Sequence, residues 1–368
     1  MFQLIGHAGI RRELEALASS EEPPHALLLA GPEGTGRTAL AIEYALLLNC
    51  EALHPPETAG ASLFGDDTFS ALSTGSSSLR EACGECRQCR LINEGAHPDI
   101  ITVAPGDTLC RPRDGDSSHP KHPESRDIRI CQVRGIIDLA SRYPFEARYR
   151  MIIVDPADRF AREAAHTLLK TLEEPPGHTV FALVTTAPEA LLETIISRCR
   201  RIDVRPVPRA EIEAGLVARG IEPGLAARAA EASRGKPGRA IQFAQQPDLM
   251  GDRARLLSRC AGVASDGTGG RFRYAGDLAE RYRKDRAAVL IEIDTWEAFW
   301  EERLRHGASE GASNEALAGF VEALTAIRQA REDLQTNVIP RTAFELMLLS
   351  FPRVTLAPSP EEEPVAHA

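Results

Sequence analysis

Four cysteines, Cys50, Cys83, Cys86 and Cys89, stand in a C-x32-C-x2-C-x2-C pattern. Four thiolates satisfy a tetrahedral structural zinc site, and the segment CGECRQC brings three of them onto one turn. With no open coordination position, the chemistry is that of a structural zinc; free thiols are the alternative. Cys50 is remote in sequence, yet it ends the helical pattern LLLNC, from which a following loop can return. The remaining cysteines suggest less. Cys110, Cys131 and Cys260 are unremarkable, and Cys199 reads as a small buried residue.

A second set of residues concerns phosphate. Gly31-Pro-Glu-Gly34-Thr-Gly36-Arg37-Thr38 follows the apolar run HALLLA and precedes the helical pattern TALAIEYALLLN. Glycines there let backbone N–H groups face a phosphate, and the following helix N-terminus favours an anion. The usual lysine is replaced by Arg37, a planar fork instead of a compact point charge. Two readings stand: a degenerate nucleotide site, or a Gly-rich strand–helix turn with no ligand.

Phosphoryl transfer to water needs a metal-holding carboxylate and a group that positions the water. Asp155, at the end of the run MIIV, can supply the first. Pro156 cannot supply the second, and Asp158 lies beyond the run, where it reads as a cap for a helix starting near Arg159. Asp155 itself stays open between metal ligand and cap. Hydrolysis at this site is not expected. Further on, Ser197-Arg198-Cys199 carries an arginine of the kind that neutralises charge on a neighbour's transferring phosphate, although a lone arginine is more often a surface ion-pair partner.

The elements that must position these groups alternate. Candidate strands at Ala26–Ala30, Asp99–Val103, Met151–Val154 and Val180–Thr185 are short, apolar and bounded by turn residues, as in a parallel sheet covered on both faces. Residues 1–205 therefore read as an α/β domain carrying the four-cysteine module at about 50–89. Two insertions, 51–82 and 105–126, read as loops. Residues 206–248 read as a small helical domain and 249–352 as an all-helical one, with a Gly-rich bridge at 261–270. The acidic, Pro-rich tail 353–368 reads as disordered.

Composition removes several classes. Hydrophobic residues make up 43% and charged residues 26%, an ordinary globular balance. A net charge of −10 argues against a surface that coats nucleic acid throughout. The cysteine module is of mixed charge (Glu81, Glu85, Arg87, Arg90, Glu94), which speaks against a nucleic-acid reader. No apolar run reaches the roughly 20 residues of a membrane span, and the start MFQLIGHAGIRREL lacks a signal-peptide layout, so a cytoplasmic location is expected.

Taken together, GHAGIRREL, the phosphate-loop region, the four cysteines, IRICQVRGIIDLASRYPFEARYRMIIVDPAD, AAHTLLKTLEEPP and TTAPEALLETIISRC resemble the AAA+ clamp-loader family of bacterial DNA polymerase III. GKPGRAI and NVIPRTAFELMLL extend the resemblance less distinctively. Within the family, Ile128–Leu139 and the DPAD segment resemble delta-prime subunits more than the tau/gamma ATPases. The resemblance implies a P-loop NTPase-type α/β domain, a helical lid and a helical collar. It implies a non-polymerising part of a DNA-directed DNA polymerase holoenzyme, in a pentamer with tau/gamma and delta subunits that places a sliding clamp on primed DNA. It further implies zinc on Cys50, Cys83, Cys86 and Cys89, and Arg198 acting in trans on a neighbour's ATP site. Residual ATP binding would use Gly31, Gly34, Gly36, Arg37, Thr38 and Asp155. Gly238, with Arg239 adjacent, takes the place of an ATP-sensing arginine. The alternative is a tau/gamma-like ATPase in which Arg37 substitutes for lysine.

Overall fold

The structure is a computed structural model that describes residues 4–55, 81–106, 108–112, 119, 122–246, 248–334 and 338–353. The tail expected at 353–368 lies outside the described residues from 354 onward, as do 56–80 of the first insertion and 107, 113–118, 120 and 121 of the second. Two compact units divide the chain, Met1–Gln245 and Gln246–Ala368.

The first unit runs α1 (Ala8–Ala18), β1 (Ala26–Ala30), α2 (Arg37–Asn49), α3 (Arg87–Asn93), β2 (Ile100–Val103), α4 (Ile130–Ala140), β3 (Arg150–Val154), α5 (Arg162–Glu173), β4 (Thr179–Thr185), α6 (Glu193–Ile196) and β5 (Arg200–Asp203), then α7 (Arg209–Val217), α8 (Pro223–Ser233) and α9 (Pro237–Gln245). The five strands form one parallel sheet in the order β2-β3-β4-β1-β5. Every residue of β1, β3 and β4 is buried. Successive side chains of a strand point to opposite faces, so an apolar run serves two cores at once. Leu27, Leu29, Met151, Ile153 and Ala182 join α1 and α2 on one face. Leu28, Ile152, Val154, Phe181 and Leu183 join α4 and α5 on the other.

The four expected strands are present within a residue of their expected bounds. The fifth, β5, has the sequence RRID with only Ile202 buried, an edge strand whose polarity hid it. Its position beside β1 matters because it leads out of the α6 turn that carries Arg198.

A buried ion pair sets the connection into β3. Arg150 donates to Asp99 at 2.8 Å, and their side chains are 7% and 0% exposed. Asp99 also accepts the backbone N–H groups of Phe145, Glu146 and Ala147 at 2.8, 2.9 and 3.1 Å. Arg150 donates in addition to the carbonyls of Leu139, Arg142 and Tyr143. Burial alone would raise the Asp99 carboxyl, but those three N–H donors and Arg150 outweigh it and hold the group below the ordinary carboxylate range.

The second unit holds α10 (Asp248–Ser265), α11 (Thr268–Lys284), α12 (Arg286–Glu310), α13 (Asn314–Asp333) and α14 (Pro340–Leu349). They enclose Trp296, Trp300, Phe344 and Phe351. The expected Gly-rich bridge at 261–270 is corrected here: α10 continues through Ser265, and only Asp266 and Gly267 separate it from α11. Burial of Cys260, Val263 and Ala264 on one side and Arg271 on the other outweighs the poor helix propensity of the glycines. Arg271 donates to the carbonyls of Ala264, Leu348 and Phe351, joining the ends of α10 and α14.

Candidate functional site

The phosphate-type loop leaves β1 at the C-terminal edge of the sheet, where ligands of open parallel sheets bind. Gly31 is required by packing: a Cβ there would sit 2.1 Å from the Val204 carbonyl oxygen. Gly34 and Gly36 hold φ of +80° and +99°, the left-handed region glycine tolerates, and Gly36 caps the start of α2. Thr35 is buried, its hydroxyl donating to the Pro32 carbonyl at 2.8 Å.

Arg37 opens α2 and is 8% exposed. Burial lowers its pKa, and the charges of Asp155, Glu33 and Asp158 act against that shift. Its Nη1 is buried and finds no acceptor among the described residues. The first-turn N–H groups of α2 likewise have no acceptor within the helix. Together these donors suit a phosphate.

Thr38 Oγ1 donates to Asp155 Oδ2 at 2.5 Å, so the loop and the end of β3 meet as an NTPase requires. The rest of the site differs. The Asp155–Pro156 peptide bond is cis, and Pro156 presents no acid. Asp158 does not cap a helix start, contrary to expectation. It lies inside a 3₁₀ turn at Ala157–Arg159, and α5 begins only at Arg162. Its carboxylate instead accepts from the Thr185 hydroxyl at 2.7 Å and the Thr186 N–H at 3.4 Å, tying the end of β3 to the end of β4. The polar end of β4 is thus committed to a structural bond.

The start of α9 closes directly on the loop. Gly238 N–H donates to the Gly34 carbonyl at 3.2 Å, and the Lys236 side chain lies over Gly34.

Arg198 follows α6 and is part-exposed. It donates to the Thr194 carbonyl at 2.8 Å and to Glu173 Oε1, at the end of α5, at 2.7 Å. The pair joins the SRC turn to the LEEPP segment, which sequence spacing placed about twenty residues apart. Cys199 is only part-buried as a residue, yet burial pushes its thiol up to about 12.

The four cysteines come together. Cys50 ends α2, Cys86 caps α3, and the sulfurs of Cys50, Cys83, Cys86 and Cys89 all lie within 4.8 Å of one another. Cys83 Sγ and Cys89 Sγ are 4.0 Å apart, close to the roughly 3.8 Å expected for thiolates about a common tetrahedral zinc. Backbone N–H groups of Cys83, Cys86 and Cys89 point at the sulfurs of Cys50, Cys83 and Cys86 at 3.3, 3.3 and 3.4 Å. The Cys86 N–H is the main cause that brings the Cys83 thiol down to about 7. Cys50 and Cys89 are fully buried in the sheet's core, so an ion held here would be anchored to the domain. The set fits a structural metal.

Comparison with known proteins now carries weight. The profile of the family described as "DNA polymerase III, delta subunit" matches residues 58–208. DNA polymerase III subunit tau of Bacillus subtilis is 31% identical over 204 residues, 55% of this chain. DNA polymerase III subunit delta' of Pseudomonas aeruginosa is 32% identical over 183 residues, 50% of this chain. The B. subtilis delta' subunit is 28% identical over 233 residues, 63% of this chain. Over these regions the chain is similar to clamp-loader subunits of DNA polymerase III.

The matched regions cover 29%, 44% and 57% of those three relatives' own lengths. A gamma-subunit-related protein of Thermotoga maritima aligns over 93% of this chain with 17% identity and a TM-score of 0.38, too loose to transfer any residue's role. Both tau and delta' names occur among the clamp-loader relatives, so similarity alone leaves the subunit type open. Among the described residues, no helix is long and apolar enough to cross a membrane.

One cluster escaped sequence reasoning. Cys110, His119, His122 and Cys131 also converge, with ligand atoms within 4.8 Å of one another. Cys110 and Cys131 are therefore not the unremarkable residues expected. The available signal was the even spacing C-x8-H-x2-H-x8-C.

Proposed function

We propose that this chain is a delta-prime-type clamp-loader subunit that does not hydrolyse ATP. In this reading it assembles in the cytoplasm with tau/gamma and delta subunits into a pentamer that loads a sliding clamp onto primed DNA. It lends Arg198 to the ATP site of a neighbour. One observation carries the reading: Pro156 and the Thr185-bound Asp158 leave no acid to position water, while Arg198 stands part-exposed on Glu173. The collar role is supported by Ile339, Leu346 and Leu349, which are 65%, 57% and 45% exposed and recur at helical spacing at and along α14.

In the same reading, residual ATP binding would use Gly31, Gly34, Gly36, Arg37 and Thr38, with Asp155 at the metal position. When bound, ATP would supply the triphosphate for these donors to hold. Arg37 and the start of α2 would orient it. The buried Arg37 Nη1 supports this, and the Thr38–Asp155 bond would have to open for a metal to reach both.

The test is ATP turnover by the isolated chain beside the reconstituted complex. The isolated chain is expected to show none above background, and the complex to load clamps only when this chain is added. Turnover by the chain alone within tenfold of a typical enzyme's roughly 10 s⁻¹ would reject this reading. It would favour a tau/gamma-like ATPase, a second reading supported by the preserved loop geometry and the tau relative.

Zinc on Cys50, Cys83, Cys86 and Cys89 belongs to the same proposal. Structural zinc contributes folding free energy outright, on the order of 10 kcal/mol in small zinc peptides. Cys86→Ser is expected to release that ion and lower the melting temperature of the first unit. Metal analysis and thermal unfolding check it, and full stability in a metal-free wild-type chain rejects it.

A further inference from the structure

We propose that Cys110, His119, His122 and Cys131 form a second structural zinc site, independent of the four-cysteine module and of the clamp-loader reading. Cys110 Sγ lies 3.1 Å from His119 Nε2 and 4.0 Å from His122 Nε2, and His122 Nε2 lies 3.0 Å from Cys131 Sγ. Zn–S bonds of about 2.3 Å and Zn–N bonds of about 2.0–2.1 Å place sulfur and nitrogen about 3.6 Å apart around a tetrahedral ion. The observed separations straddle that value. Both histidines present the same nitrogen, Nε2, to the sulfurs, and their rings meet edge to face at 5.4 Å and 85°.

The surrounding backbone holds this arrangement from two sides. Cys131 is buried in the first turn of α4, and its carbonyl accepts the Arg111 N–H at 3.0 Å. Gln132 donates to the carbonyls of Ala104 and Thr108 at 2.8 and 3.1 Å. Leu109 approaches so closely that a Cβ on Gly135 would lie 2.0 Å from its carbonyl oxygen. These contacts press the chain on either side of Cys110 against the helix that carries Cys131. The return segment is fixed beyond the histidines, where Ile128 N–H donates to Arg159 at 2.7 Å and Ala161 N–H donates to Ile128 at 3.0 Å.

Two thiolates and two imidazoles make a closed, borderline-soft set that suits zinc and leaves no position for substrate. The role is therefore to cross-link the 105–126 insertion to α4. A metal-free cluster of thiol–imidazole hydrogen bonds is the competing arrangement.

The experiment uses the full chain, stripped by chelator, reloaded with zinc and freed of excess metal. Elemental analysis is expected to find two zinc ions per chain in the wild type. His119→Ala/His122→Ala should retain one, Cys86→Ser the other, and the combined variant none. A wild-type ion count that the histidine substitutions leave unchanged overturns the proposal. Cobalt(II) loading of the wild type decides the matter should the variants misfold. Visible bands of a mixed thiolate–imidazole centre, beside those of a tetrathiolate, support the site; tetrathiolate bands alone refute it.

Discussion

Replacing Arg198 with alanine is expected to lower the ATPase rate of the reconstituted clamp loader on the order of a thousand-fold at the site this arginine serves, the lower end of what arginine fingers contribute. The isolated subunit should scarcely register the change. Arg198 and Glu173 are 32% and 49% exposed, and a surface pair of that kind stabilises a fold by about 0–1 kcal/mol. A large catalytic loss against a negligible loss of stability therefore separates a trans role from a structural one. Arg198→Lys should recover little, because a lysine cannot reproduce the planar fork. The measurement is clamp- and DNA-stimulated ATP hydrolysis by complexes matched for subunit content. Normal hydrolysis by the Arg198→Ala complex rejects the assignment.

Asp99→Ala is expected to cost folding about 3–5 kcal/mol, because it leaves Arg150 as a buried charge without its carboxylate. It also strands the three N–H groups that the carboxylate collects from residues 145–147. Denaturant unfolding of the chain checks this, and a loss below about 1 kcal/mol contradicts it. The pH dependence has a definite sign. Asp99 titrates below its ordinary value, so the folded protein binds fewer protons than the unfolded one in that range. Its contribution is whole above the unfolded value of about 3.9 and drains away as the pH falls through the depressed folded value. Asp99→Asn should flatten the acid limb of the stability curve.

Legibility followed burial. The runs ALLLA, MIIV and VFALVT announce themselves because both faces of their strands are covered, and apolarity is then continuous. RRID at β5 is an exposed edge, so its sequence resembles a loop. The tetrathiolate set was readable because two short C-x2-C steps fix three sulfurs locally. The Cys110–Cys131 cluster was not, because its members meet only after the chain has left β2 and returned at α4. Asp158 was misplaced for a similar reason: capping is a local inference, and the partner it chose, Thr185, is 27 residues away. The motif singles out Arg198, but its contact with Glu173 is visible only in the fold.

The bond from Gly238 to Gly34 has a mechanical consequence. The N-terminal segment also packs on α7 and the residues before it, with Ile5 against Gly215 and Gly6 against Val207. The backbone bond adds a second attachment, on the phosphate loop itself. The two contacts, one of side-chain packing and one a backbone hydrogen bond, both resist a tilt of α7–α9 away from the sheet.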